Sequence, residues 1–321
     1  MLMKRWIAGI TGMLLSVSAW SQEIKVTLLG TGAPIPLMDR QGPATLVEAG
    51  GKRLLFDAGR GVSQRLWQLK KPLSAIDALF ITHLHSDHLV GLPDLWLTGW
   101  LQPEYGRRQA PLRLIGPEKI SLLAQSLKAG FAPDIAYRSE KEGLPTAGVD
   151  FSVTEIGKAG AVFEESGVRV TAFDVDHGVV KPAYGYRIDF AGKSVVISGD
   201  TTFAPALVEQ ARGVDLLVHE VAAAAPGLRE NAFVKRQFEY HSSPESLART
   251  LTQARPKAAV LTHFVLLGSP TNPPPTPYAA LAEVRAQGYE GPLTAGVDLM
   301  EITIGADIAI RAPTQAPLTR P

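Results

Sequence analysis

The chain has 321 residues, of which 45% are hydrophobic and 20% are charged, a composition typical of a soluble globular protein. It contains no cysteine, so disulfides and thiolate ligands are excluded, and a metal would have to be bound by histidine, carboxylate or water. Without residues 1–21 the chain retains 30 basic and 31 acidic residues. Because this near-neutral balance gives no electrostatic footprint for nucleic acid, we do not expect a nucleic-acid partner.

Residues 1–21 have the layout of a secretory signal peptide. Lys4 and Arg5 precede an apolar run at residues 7–17, and small residues follow, with cleavage expected after Ala19 or Ser21. The run is too short to span a bilayer comfortably, although an uncleaved anchor is the alternative. We therefore expect a periplasmic or secreted protein with no stable membrane insertion after cleavage.

From residue 23 onward, strand-like runs alternate with helical runs. Gly50 and Gly51 predict a hairpin turn between the second and third strands. The predicted strands are residues 24–29, 44–48, 53–56, 78–82, 168–175, 184–190, 194–197, 215–218, 258–262 and 299–304, and the predicted helices are 62–69, 120–128, 205–211, 244–254 and 278–287. No linker is evident, so we expect one α/β domain over residues 22–311, followed by a disordered tail at 312–321.

The segment THLHSDH, residues 82–88, follows the strand-like run at 78–82 and contains three of the seven histidines. His83 and His85 are spaced i, i+2, so on extended backbone they point the same way and can bind one ion. Asp87 and His88 lie just beyond, where the chain turns, and can bind a second ion. A hydrogen-bonded polar turn is the structural alternative.

Other residues of metal-ligand type also stand at the ends of strand-like runs. If these strands share one sheet edge, their terminal side chains converge there. Each has a structural alternative when taken alone, such as a turn or helix cap for the aspartate in SGDT. The residues are Asp57, His177, Asp200, His219, Glu220 and His263.

The motif THLHSDH resembles the HxHxDH signature of the metallo-β-lactamase superfamily. The order of Asp57, THLHSDH, His177 before GYRI, SGDT, His241-Ser-Ser and LTHF is similar to the ribonuclease Z branch. The segments DHGVVKPAYGYRI and GPLTAGVDLMEITIG look closer still to exported, arylsulfatase-like members. The resemblance covers roughly residues 24–304 and implies a single-domain, four-layer αββα sandwich with two zinc ions at one sheet edge.

The resemblance also implies a ligand set. His83, His85 and His177 would bind the first ion, Asp87, His88 and His263 would bind the second, and Asp200 would bridge them. Asp57 matches a carboxylate that orients a ligand histidine, a role that physical chemistry also favours. Nitrogen and oxygen ligands suit Zn²⁺, with Mn²⁺ and Fe²⁺ left open. The relatives also imply a homodimer.

From this centre we expect a binuclear metal-dependent hydrolase, in which a hydroxide bridging the ions attacks a small anionic ester, an aryl sulfate or a phosphodiester. Asp87 can orient that water as well as bind metal. The main alternative is a ribonuclease Z-type endonuclease that processes the 3′ end of transfer RNA. The export signal, the balanced charge and the short segment at 117–165 disfavour it. A lactonase and a non-catalytic zinc-binding protein are further alternatives, whereas a β-lactamase is disfavoured because such enzymes generally lack the bridging aspartate.

Two residues outside the predicted metal shells are candidates for proton transfer. His241 matches a histidine that faces the site in ribonuclease Z, and Glu220 can orient it and raise its pKa, which predicts a general acid. A helix-capping turn at His241 is the alternative. His219 alternates away from Glu220 along the strand, so we expect a structural role for it. Trp96 and Trp100 either line an aromatic-accepting pocket or pack in the core.

Overall fold

Strands in two sheets form the centre of the molecule. The computed structural model describes residues 22–313. Its strands are β1 (Ile24–Gly30), β2 (Ala44–Ala49), β3 (Lys52–Phe56), β4 (Ala78–Phe80), β5 (Leu112–Pro117), β6 (Phe151–Ile156), β7 (Gly160–Glu165), β8 (Val168–Asp174), β9 (Tyr184–Phe190), β10 (Lys193–Ile197), β11 (Leu216–Ala224), β12 (Ala258–Leu267), β13 (Leu293–Ala295), β14 (Met300–Ile304) and β15 (Ile308–Arg311). The predicted turn between β2 and β3 is confirmed, with φ of 55° at Gly50 and 75° at Gly51.

Helices cover the outer faces of both sheets. They are α1 (Val62–Gln68), α2 (Leu92–Thr98), α3 (Ile120–Gly130), α4 (Ala132–Lys141), α5 (Pro205–Gln210), α6 (Ala232–Phe238), α7 (Pro244–Ala254) and α8 (Pro277–Ala286). Within residues 22–313, no helix has the length and apolar character needed to cross a membrane. The predicted leader at 1–21, and residues 314–321 of the predicted tail, lie outside the described residues. The signal peptide and the exported location therefore stay predictions.

Strand order brings the loops after several strands to one edge. The first sheet has the order β15-β14-β1-β2-β3-β4-β5-β6, and the second has the order β13-β12-β11-β10-β9-β8-β7. Neighbours from β3 to β6 pair in parallel, as do those from β10 to β13, and β8 runs in the same direction as β10. Because parallel strands of one sheet end at the same edge, the residues that follow β8 and β10 lie near the middle of β12, and the loop after β4 of the first sheet meets them there.

Apolar side chains form three layers of core. The central layer lies between the sheets, where the rings of Phe56, Phe80 and Tyr186 pack with centroids 4.8 to 5.6 Å apart. A second layer joins the first sheet to α1, α2 and α3, and a third joins the second sheet to α5, α7 and α8. Each large apolar side chain buried in these layers contributes about 1.5–3 kcal/mol. The expected four-layer αββα sandwich is confirmed.

The start of α7 is specified by its local sequence. The Ser243 side chain accepts a hydrogen bond from the Ser246 backbone N–H at 3.2 Å, and Pro244 occupies the first helical turn. Leu247 and Leu251, spaced i, i+4, are fully buried against the second sheet. This well-defined helix start fixes the chain just before it, which carries His241.

Candidate metal centre

The loop after β4 presents its side chains through a tight turn. Ser86–His88 form a short 3-10 helix, in which the His88 N–H donates to the His85 carbonyl at 3.2 Å. The backbone of His88 is tied to the first sheet, because the Ala58 N–H donates to its carbonyl at 2.8 Å. His83, Asp87 and His88 are buried, whereas His85 is exposed. The turn therefore brings three buried side chains and one exposed histidine to the same site.

The first predicted ligand group is assembled by the structure. His83, His85, His177 and Asp200 each offer one ligand atom, and these atoms all lie within 4.8 Å of one another. His177 Nε2 lies 3.2 Å from His85 Nδ1, which places nitrogen atoms of the two neighbouring loops around a common point. His177 follows β8 and Asp200 follows β10, as the shared sheet edge requires.

The second predicted group lies beside the first. Asp87, His88 and His263 also bring ligand atoms within 4.8 Å of one another. His263 Nε2 is 3.2 Å from Asp87 Oδ2 and 3.3 Å from His88 Nε2. The three side chains are largely buried, so an ion bound among them is held by protein on several sides.

Asp200 faces both groups through one oxygen. Its Oδ2 lies 3.3 Å from His88 Nε2 and 3.4 Å from His263 Nε2 in the second group. The same atom lies 3.7 Å from His83 Nε2 and 3.9 Å from His177 Nε2 in the first. This central position is the geometry expected of a carboxylate that bridges two ions.

The chemistry of the donors fits two divalent ions. His83 Nε2 is buried and has no hydrogen-bond partner among the residues that the structure describes. Burial lowers the pKa of His83 well below its ordinary value, so the ring is neutral and competent to bind metal. Burial alone would raise the pKa of Asp200, but His263 and His88 hold it well below the usual range. The nitrogen and oxygen donors suit Zn²⁺, while the identity of the metal stays a prediction.

Two of the site residues adopt left-handed backbone conformations. His263 has φ of 41° and Asp57 has φ of 61°, an arrangement that costs about 1–3 kcal/mol for a residue with a side chain. His263 is also a bulge in β12, because Glu220 pairs with Thr262 whereas Val221 pairs with Phe264. A bulge redirects the side chain it carries, which explains how a strand residue points into the centre.

Asp57 contacts the loop after β4 and the candidate ligand His88. Its Oδ2 lies 2.7 Å from His88 Nδ1, and its Oδ1 accepts from the Thr82 N–H at 2.8 Å. Burial disfavours a charged His88, but Asp200 and Asp57 outweigh it and raise the pKa of His88 well above its ordinary value. In the metal-free protein His88 therefore carries an extra proton, which metal binding would displace.

His241 and Glu220 form a buried pair beside the centre. His241 Nδ1 lies 3.0 Å from Glu220 Oε1, which also accepts from the backbone N–H groups of Thr201 and Ser242 at 3.0 and 3.2 Å. Burial lowers the pKa of His241, but Glu220 outweighs it and raises that pKa to about 9. His241 also lies close enough to Asp200 and His263 for the three to hold an ion, a possibility that the motif assignment missed.

Other candidates from the sequence lie outside the centre. Trp96 and Trp100 are fully buried in the layer between the first sheet and its helices, and their indole N–H groups donate to backbone carbonyls. The interpretation that they line a substrate pocket is wrong, because both rings are enclosed by the core. His219 is buried and its Nδ1 bonds to the Glu220 carbonyl at 2.7 Å, as expected of a structural residue.

Comparison with known proteins places this site in a family. Residues 52–264 match the model of the beta-lactamase superfamily domain. Ribonuclease Z of Mycobacterium marinum is 38% identical over 247 residues, which cover 75% of this chain and 86% of the relative. Ribonuclease Z of Mycobacterium bovis is 35% identical over 286 residues, covering 88% and 98% respectively.

Solved structures support the same placement. The human short form of tRNase Z superimposes with a TM-score of 0.61 and 26% identity, covering 87% of this chain and 99% of that protein. A metallo-beta-lactamase fold protein from Bacillus subtilis gives a TM-score of 0.67 at 17% identity, with coverage of 88% and 99%. This second likeness concerns the fold alone.

These findings correct the expected partner. The expectation that nucleic acid is not a partner is wrong, because relatives matched over most of their length are named ribonucleases and one is named a tRNase. The near-neutral net charge was a poor guide to this partner because it averages over the whole surface. Two bound divalent ions would add local positive charge at the point where a phosphate reacts. The comparisons also favour the ribonuclease Z alternative over an arylsulfatase. The predicted homodimer stays a prediction.

The fold, the converging histidines and aspartates, and the matched relatives all agree. The chain belongs to the metallo-β-lactamase superfamily, in its ribonuclease Z branch, and has the fold of a metal-dependent hydrolase.

Proposed function

We propose that the protein is a ribonuclease Z-type endonuclease, a binuclear metal-dependent phosphodiesterase that cleaves precursor transfer RNA. The observation that carries this proposal is the position of Asp200, whose Oδ2 lies within 3.3 to 3.9 Å of histidine nitrogens from both ligand groups. A shared carboxylate suits a pair of ions that act on one phosphodiester. Identity of 35–38% to enzymes named Ribonuclease Z supports the substrate class.

Seven side chains of this chain would hold the two ions. When bound, the ions supply an activated water at neutral pH and neutralise the charge that develops on the phosphate. We propose Zn²⁺ as the resident metal. The ligands are His83, His85 and His177 for one ion, Asp87, His88 and His263 for the other, and Asp200 for both.

Asp87 has a second role in this proposal. Burial raises the pKa of Asp87, but the hydrogen bond with His263 and the charge of His88 outweigh burial and lower it, so the group is ionised. An ionised carboxylate accepts a hydrogen bond from the attacking water and orients its oxygen toward phosphorus. The carboxylate thus positions the nucleophile during P–O bond formation.

His241 would deliver a proton to the leaving group. As the P–O bond to the leaving ribose oxygen breaks, that oxygen takes a proton and departs as a hydroxyl. His241 Nδ1 is occupied by Glu220, which leaves Nε2 as the nitrogen that transfers the proton. The buried carboxylate of Glu220 favours the protonated imidazole of His241 and fixes the orientation of its ring.

The proposal is tested by incubating the metal-loaded protein with a precursor transfer RNA and with the same transfer RNA lacking its 3′ trailer. We expect cleavage at the junction with the trailer, abolished by a chelator and by Asp200→Asn. Binding that weakens steeply with salt would accompany contacts to backbone phosphates. An aryl sulfate, a lactone and a small phosphodiester serve as comparators. Turnover of the aryl sulfate or the lactone with no cleavage of either RNA would contradict the proposal.

A further inference from the structure

The ligand histidines differ in how their second ring nitrogen is bound. A metal-bound histidine usually donates its other N–H to an oxygen, which fixes the ring and strengthens the ligand. Three of the histidines that direct Nε2 toward the centre obey this rule through Nδ1, with partners at 2.7 to 3.0 Å: His83 with Thr82 Oγ1, His88 with Asp57 Oδ2, and His177 with the Tyr240 carbonyl. His263 is the exception, because its Nδ1 is buried without a partner among residues 22–313.

Within the described part of the chain, two other buried polar atoms beside His263 also have no protein partner. Glu220 Oε1 receives three hydrogen bonds, yet Glu220 Oε2 has none. Thr262 Oγ1 is buried and unpartnered as well. Glu220 and Thr262 are register partners in the parallel pair β11–β12, so their side chains leave neighbouring strands on the same face. Buried polar groups that lack a hydrogen-bond partner destabilise the fold, so a bound water that satisfies them is favoured.

All three residues line one small, partly open cavity that borders the metal centre, because His88 and Asp200 line it as well. The cavity has a volume of about 20 Å³ and is also lined by Asp57, Asp200 and apolar groups of the two sheets. A cavity needs roughly 10–15 Å³ to hold one water, which typically makes about three hydrogen bonds. The volume suits a single water, and the three unpartnered atoms match the number of bonds that it makes.

We propose that this cavity binds one structural water, which accepts hydrogen bonds from His263 Nδ1–H and Thr262 Oγ1–H and donates one to Glu220 Oε2. Thr262 is then a positioning residue that acts through this water on two partners. It orients His263, a ligand of the second ion. It also fixes the carboxylate of Glu220, which orients the imidazole ring of His241. The effect on Glu220 and His241 rests on the proposed function, whereas the effect on His263 concerns metal binding alone.

The test compares metal retention among threonine variants. Thr262→Val keeps the side-chain shape and removes the hydroxyl, whereas Thr262→Ser keeps the hydroxyl. Thr27→Val is the matched control, since Thr27 is fully buried on β1, has an unpartnered hydroxyl and does not line the cavity. Zinc-loaded proteins are titrated with a competing chelator, and the metal that remains bound is counted.

We expect Thr262→Val to lose metal at about tenfold lower chelator concentration than the wild type. Thr262→Ser and Thr27→Val should stay within about twofold of the wild type. Equal retention in Thr262→Val and the wild type would overturn the proposal, as would an equal loss in Thr27→Val. No substrate enters this measurement, so a failure to cleave RNA would contradict the proposed function and leave the result intact.

A high-resolution crystal structure of the wild-type zinc protein provides the second measurement, which stands even if Thr262→Val does not fold. We expect an ordered water within hydrogen-bond distance of His263 Nδ1, Glu220 Oε2 and Thr262 Oγ1. A cavity without electron density, or a direct hydrogen bond between Glu220 and Thr262, would overturn the proposal.

Discussion

Replacing His241 with alanine removes the imidazole whose Nδ1 lies 3.0 Å from Glu220 Oε1. With a pKa of about 9 in the metal-free protein, the protonated ring outnumbers the neutral ring by about 100 to 1 at pH 7. Two bound divalent ions would lower this pKa toward the range in which a general acid is most effective. The proton is therefore available, and its full catalytic contribution is lost in the variant.

General acids contribute roughly 10²–10⁴-fold, so we expect kcat of His241→Ala to fall about 10³-fold, or about 4 kcal/mol, on diesters with poor leaving groups. The assay measures kcat for a series of aryl phosphodiesters, from nitrophenyl to unsubstituted phenyl. Acidic phenols leave without a proton, so their esters should lose far less rate. His219→Ala is the control, a buried histidine whose loss lowers stability and leaves the leaving-group dependence unchanged. Equal losses across the series, or loss of metal from His241→Ala, would refute the reasoning.

Three further predictions concern metal binding and stability. Asp200→Ala should lose metal from both groups and lose more activity than a variant of any unshared ligand, so a full metal complement would contradict the bridge. Asp298→Ala removes an acceptor of two backbone N–H groups and of Arg65, and the free energy of unfolding in urea should fall by about 3–5 kcal/mol; an unchanged value would show that the pair is dispensable. Burial raises the pKa of Asp215, but the hydrogen bond with Lys257 at 2.7 Å outweighs burial and lowers that pKa. The ion pair therefore stabilises the folded protein above the unfolded pKa of about 4, and this contribution is lost as pH falls through the folded pKa. Unfolding measured against pH should show Asp215→Asn about 1 kcal/mol less stable near pH 7 and equal in acid, whereas a constant difference would contradict this linkage.

The convergence of the candidate ligands on one sheet edge was predictable because several of them follow an apolar run, whereas their assignment to two ions came from the family resemblance. An apolar strand that ends in a histidine or aspartate specifies both a buried element and a polar group at its end, as in the runs before Asp200 and His177. The sequence alone could not show that Asp200 Oδ2 is central, because that depends on the packing of two sheets. The bulge at His263 was also invisible, since it arises from the register between β11 and β12.

Five strands were not predicted, and four of them share a physical cause, whereas β5 lies inside the first sheet between β4 and β6. The strands β6, β15, β13 and β7 form the outer edges of the two sheets, and none of them was predicted. Edge strands are short or carry polar residues, as in FSVTEI of β6, in which only the last residue is buried. The helices α4 and α6 were also not predicted; no residue of α4 is buried, although Ile135 packs against the core of the first sheet.

The tryptophans illustrate a different limit. Spacing i, i+4 after the metal loop places Trp96 and Trp100 on one face of a helix, and it does not say which way that face points. In the structure the face points into the core, where Trp96 stacks on Phe151 with centroids 4.7 Å apart. Direction of a helical face is decided by the whole fold, so a local pattern could not separate a pocket wall from a packed core.

The most direct test of the central claim is a metal titration of RNA cleavage. Metal-free protein receives increasing equivalents of Zn²⁺, and the rate of cleavage of a precursor transfer RNA is measured at each ratio. Because Asp200 joins two ligand groups into one centre, the metal-free protein should be inactive and the rate should rise until about two equivalents are bound. Saturation at one equivalent, or no cleavage with two ions bound, would contradict the account.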